Sequence, residues 1–101
     1  MKTIIDFDKF EDKVFLGYEN GKKFRKDLNL EYLDNNNEVV EIIVSDKIYA
    51  ISSSFVRGFL GDSIVKAGNK EQFYKKYNFK TRALILGVID NMILRHQLGL
   101  L

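Results

Sequence analysis

I-Y-A-I-S-S-S-F-V-R-G-F-L-G-D-S-I-V-K-A, residues 48–67, is the stretch whose reading decides the fold. Just before it runs E-V-V-E-I-I-V, residues 38–44. That run is rich in β-branched side chains and apolar on both faces, which suits an interior strand rather than an edge one. Beyond the serines, Phe55, Val56, Phe59, Leu60, Ser63, Ile64 and Ala67 recur at intervals of three and four. This spacing predicts one apolar helical stripe. A serine ahead of the first periodic residue is a good N-cap, because its hydroxyl accepts from an orphan N–H of the first turn. Ser52, Ser53 and Ser54 therefore stand at a strand-to-helix turn, beside a helix start that favours negative charge.

Outward from this centre, Lys2 to Phe7 reads as a first strand and Val14 to Leu16 as a short second one, pairing with the first as a hairpin. Asp6 to Lys13 is acidic and polar, interrupted by Phe7 and Phe10, and reads as a turn. Gly17 and Gly21 open a helical pattern continued by Phe24, Leu28 and Tyr32, which must stop by Asp34–Asn35–Asn36–Asn37. The two glycines are read as allowing close helix-to-sheet packing. Gly58 and Gly61, inside the helix after the serines, imply a neighbour pressed against that face, either the sheet or a partner. Gly68 is a natural end for that helix, and Asn69 with Gln72 forms a capping-box-like start for the next. Tyr77 to Lys80 reads as a brief extended segment. A last helix, carrying Leu84, Ile85, Val88, Ile89, Met92 and Ile93, runs to about Gln97, with Gly99 beyond it. The order implies a single α/β domain over residues 1–101, with helices packed on a mixed sheet.

The strand leading into I-S-S-S-F (residues 51–55), the earlier G-Y-E-N-G-K-K-F-R (residues 17–25) and the final apolar helix ending near Arg95 together carry a resemblance. The chain resembles the STAS domain, the fold of the anti-sigma-factor antagonists, and more closely a bacterial STAS-like family of unknown function. In antagonists a strand ends in D-S-[ST]-G, and the serine after the Asp is phosphorylated by a partner kinase. By that resemblance Ser53 is the candidate phospho-acceptor, with Ser54 as the next hydroxyl. Ser52 stands where the family has Asp, and Phe55 where it has Gly. The resemblance implies a STAS-like mixed sheet and a histidine-kinase-like ATPase or anti-sigma-type kinase as partner. The expected docking surface is Ser52, Arg57, Gly58 and Asp62.

Composition narrows the alternatives. There is no cysteine, so disulfides, thiolate metal sites and thiol catalysis are excluded. Single His96 lies late in the last helix, where a cationic residue suits the dipole. No nucleophile elbow, Walker loop, dinucleotide fingerprint or calcium loop is present. The expectation is a non-catalytic protein without cofactor or metal. The longest apolar run is far too short to span a membrane, and the acidic N-terminal residues do not suit a signal peptide, so a cytoplasmic protein is expected. A net charge of +2 is too small to argue for nucleic acid as the main partner. The alternative reading is nonetheless a small nucleic-acid-associated protein. It would use Lys22–Lys23–Arg25–Lys26 and Lys75–Lys76–Lys80–Arg82, helped by Phe24, Tyr74 and Tyr77.

Overall fold

The computed structural model describes residues 2–101. Strand β1 (Lys2–Asp6) ends where the Asp6 carboxylate accepts from the Asp8 N–H at 3.0 Å and starts a single 3₁₀ turn, Phe7–Lys9. The chain then continues through β2 (Val14–Phe15) into α1 (Tyr18–Asp27) and α2 (Leu30–Asp34). Strand β3 (Val39–Val44) passes through a turn into β4 (Ala50–Ile51) and α3 (Ser53–Ala67). Helix α4 (Lys70–Lys76), β5 (Tyr77–Thr81) and α5 (Ala83–Gln97) complete the order. The α/β class is therefore the one read from the sequence.

The strand partners differ from the expected hairpin. β1 pairs with β3 and β3 with β5, giving the order β1-β3-β5, while β2 pairs only with β4. Every ladder is parallel, so the sheet expected as mixed is a parallel one. The physical reason lies in the Phe7–Phe10 segment. Its two rings turn inward against Phe15, at centroid distances of 5.2 Å for Phe7–Phe10 and 5.0 Å for Phe7–Phe15, instead of forming a reversing turn. The chain makes the same strand–turn–strand–helix move twice, and the two copies run side by side. Ile5 stands beside Ile42 in the first ladder and Phe15 beside Ile51 in the second.

β3 is the interior strand, as its composition requires. The face carrying Ile5, Val40, Ile42, Val44 and Tyr77 is buried. The opposite face carries Ile4, Val39, Asn78 and Lys80, all exposed, and Glu41, which pairs with Lys2 at 3.3 Å. A parallel sheet is ordinarily covered on both faces, and this one is covered on one. No helix among the described residues is long and apolar enough to cross a membrane.

The helix expected from Gly17 to Tyr32 is two helices. Asn29 adopts left-handed backbone, φ 59°, which Asn tolerates better than most residues. The break turns Leu30 and Leu33 into the core and leaves Tyr32 exposed. Gly68 at φ 88° ends α3, and Asn69 caps α4 by accepting from Gln72 N–H at 2.8 Å, both as read from the sequence. In α5, Ile85, Ile89, Met92 and Ile93 are buried but Leu84 is exposed. Mid-helix Gly87 has open space where a Cβ would stand, so it forgoes about 1 kcal/mol relative to Ala without any packing gain inside the domain.

Candidate functional site

The serine turn is set by the contact between α1 and α3. A Cβ on Gly21 would strike the Phe55 carbonyl and lie 2.9 Å from Phe59 N. One on Gly58 would strike the Tyr18 carbonyl and lie 2.9 Å from Lys22 N. The helices thus touch backbone to backbone, each through its own glycine. This replaces the expected helix-to-sheet role of Gly21. It also removes Gly58 from the docking surface, because α1 covers it. Gly17, at φ 91° with open space around it, serves the turn into α1 instead. Gly61 would meet only the flexible Arg57 side chain, at 3.8 Å.

Below the turn the two helices close over a cluster of phenylalanines. Phe15 and Phe55 lie 5.5 Å apart, Phe24 and Phe55 5.6 Å, and Phe7 and Phe59 5.6 Å, with edge-on or tilted rings. Such pairs add to the burial of each ring and fix their mutual positions. The start of α3 is therefore seated on a rigid floor.

The three serines have three different tasks. Ser52 Oγ accepts from Phe55 N–H at 3.1 Å as the N-cap of α3, and from Gly17 N–H at 3.2 Å at the start of α1. Its own N–H donates to Phe15 O at 2.9 Å. With both lone pairs engaged, the Ser52 proton is left for Ser54 Oγ, 3.1 Å away. Ser54 is half-buried in that bond. Ser53, the first residue of α3, is exposed, and its hydroxyl has no hydrogen bond among the described residues. One turn along the same face is Arg57, exposed, its guanidinium 4.2 Å from the centre of the Tyr18 ring. Lys22 approaches that ring at 5.2 Å. Leu16, just before Gly17, is exposed.

Of the expected docking residues, Arg57 alone joins Ser53 at this surface. Ser52 is consumed in holding two helices together. Asp62 is exposed but lies about 13 Å along α3 from Ser53, given the rise of a helix, and faces Arg25 of α1 at 3.9 Å.

A buried polar cluster on the far half of α3 has no precursor in the sequence reading. Asp34 accepts from Arg25 at 2.9 Å, from Ser63 at 2.6 Å and from the Tyr77 hydroxyl. Arg25 also donates to Phe59 O at 3.0 Å and to Ser63 Oγ at 2.7 Å. The Asp34 side chain is 5% exposed and that of Arg25 12%. Burial, and secondly the bond to Asp34, push the Tyr77 phenol well above its ordinary range. One signal was legible: Ser63 is a hydroxyl inside an apolar stripe. Every member has a partner within the cluster, so it ties α1, α2, α3 and β5 together rather than presenting open chemistry. Nearby, burial lowers the Lys76 ammonium, which donates to Asn36 O at 2.6 Å.

The two basic clusters are largely engaged. Lys23 pairs with Asp27 at 2.9 Å and Lys75 with Glu71 at 3.6 Å, while Arg82 donates to Ser45 O and Ile48 O. Their aromatic neighbours face inward: Phe24 belongs to the phenylalanine cluster, Tyr77 is buried, and Tyr74 donates to Asp90 at 2.5 Å. Comparison with protein-family models, curated proteins and solved structures finds no match for this chain.

Proposed function

We propose that this domain is a non-catalytic regulatory module, acting in the cytoplasm by protein–protein contact in the manner of the anti-sigma-factor antagonists it resembles. Ser53 is its phospho-acceptor, and a histidine-kinase-like ATPase or anti-sigma-type kinase its partner. The observation that carries this reading is the division among the serines. Ser52 holds the fold and Ser54 is tied to it, while Ser53 stands free at a helix start with a guanidinium one turn away. Where antagonists place an Asp before their serine, Ser52 stands here and caps α3.

A phosphate on Ser53 would bring about −1.5 to −2 charges to the positive end of α3 and within reach of Arg57. It would draw Arg57 away from the Tyr18 ring and place a strongly hydrated anion at the start of α3. A partner seated on Leu16, Tyr18 and Arg57 would then face a desolvation cost that the unmodified surface lacks.

The test is phosphosite mapping by mass spectrometry after the purified protein is incubated with host extract and ATP. A single phosphate on Ser53, absent from Ser53→Ala, is the expected result. Absence of phosphate from all three serines in an extract that retains kinase activity on a control substrate contradicts the phospho-switch.

A further inference from the structure

Helix α5 is apolar on two faces. The inner face is the core stripe of Ile85, Ile89, Met92 and Ile93. The outer face carries Leu84, Gly87, Asn91 and Leu94, continued by Leu98 at the C-cap, at successive spacings of three, four, three and four residues. All five are exposed, the leucines to 71%, 49% and 63% in order. This is the spacing of the a and d positions of a two-stranded coiled coil, with Leu84, Asn91 and Leu98 at a. Nothing among the described residues rests on it, and the open Cβ position of Gly87 has no packing use among them.

We infer that this face is a self-association seam, on which α5 pairs in parallel with α5 of a second copy of the chain. Three observations select that occupant. A lone Asn at an a position, among leucines, is the device that fixes register and two-strandedness by pairing with its own counterpart. Gly87 would meet Gly87 of the second copy and let the helices approach closely. The charges complement as well: Asp90 and Arg95 fall at g and e, the positions that face each other between parallel helices. Asp90 bonds Tyr74 and Lys70 through Oδ1 only, leaving Oδ2 for the other chain. Arg95 is exposed and has no ion-pair partner among the described residues. An antiparallel pair would set Asp90 against Asp90 or Gln97 and lose this match.

Five residues on a side are few against the roughly 20–30 of a standard interface, so the association is weak and depends on concentration. Sedimentation equilibrium of the full chain, from about 1 μM to about 1 mM, is the direct test. The mass is expected to rise from 11.8 kDa toward twice that value. Leu94→Glu, at a half-exposed site that should leave folding intact, is expected to stay monomeric throughout. If circular dichroism finds that variant unfolded, Asn91→Lys is read in its place. Orientation is read by Leu84→Cys, the sole thiol in an otherwise cysteine-free chain. Parallel pairing brings residue 84 opposite itself, whereas either antiparallel register sets it at or beyond the far end of the second helix, so oxidation links Leu84→Cys into a dimer much faster than Ser53→Cys. A mass fixed at 11.8 kDa over the whole range, or Leu94→Glu doubling as the parent does, overturns the seam. Equal cross-linking of the two cysteine variants overturns its parallel orientation.

Discussion

Gly21 and Gly58 make reciprocal contacts, each lying under the backbone of the other's helix. Gly21→Ala and Gly58→Ala should therefore each destabilise. The added methyl meets backbone that cannot move aside, and the overpacking cost is about 1–3 kcal/mol or more, against the gain in helix propensity. Gly87→Ala, in open space, should stabilise by about 1 kcal/mol. Urea unfolding of the three variants checks the contrast in sign.

The serines should separate in the same assay. Ser52→Ala removes the α3 cap and the acceptor for Gly17 N–H together, and a loss of about 1–2 kcal/mol is expected. Ser53→Ala should lie within about 0.5 kcal/mol of the parent, as surface substitutions usually do. Ser53→Asp should match or slightly exceed the parent, because a negative charge in the first turn suits the dipole. Equal losses for Ser52→Ala and Ser53→Ala would show that the cap is not assigned to Ser52.

Asp34→Ala leaves the Arg25 guanidinium buried beside two hydroxyls with only exposed Asp62 at hand. A cost on the order of 3 kcal/mol is expected, read from the shift of the urea midpoint. Asp34→Asn keeps the shape and one acceptor oxygen but loses the charge and turns the other oxygen into a donor amide, and should fall between that variant and the parent.

The tyrosines give the fold an alkaline limit. Tyr77 and Tyr74 are both raised above the ordinary phenol value of 10.0, by burial first and then by bonds to Asp34 and Asp90. Above about pH 10 the unfolded chain loses protons that the folded chain keeps, so it binds fewer and stability falls as pH rises. The contribution is complete below that pH. Urea midpoints at about pH 8 and about pH 11 should diverge in the parent and diverge less in the Tyr74→Phe, Tyr77→Phe double variant. Undiminished divergence in the double variant would assign the alkaline loss to other groups.

Much of this fold was legible where the signal is local. The stripe of α3, the Gly68 terminus, the Asn69–Gln72 cap and the interior position of β3 all rest on residues within a few places of one another. What escaped depends on distant partners. A two-residue strand such as β2 carries no pattern that selects a neighbour, so the parallel ladder with β4 could not be read. Asp34, set among three asparagines, has the composition of a turn and is buried only because Arg25, Ser63 and Tyr77 converge on it. The two copies of the strand–turn–strand–helix move share hardly any side chains beyond Ile5 with Ile42, which hides the repetition. At the site, the serine turn itself was legible. The bond from Gly17 that commits Ser52 to the fold, and so singles out Ser53, was not.

The most direct measurement compares wild type and Ser53→Asp as baits for partner capture from the native host, with circular dichroism confirming that both are folded. Recovery of an ATPase-like protein by the wild type, and its loss with Ser53→Asp, is the expected outcome. Recovery of the same protein in equal amount by both baits would contradict control through Ser53 and leave the turn a structural cap.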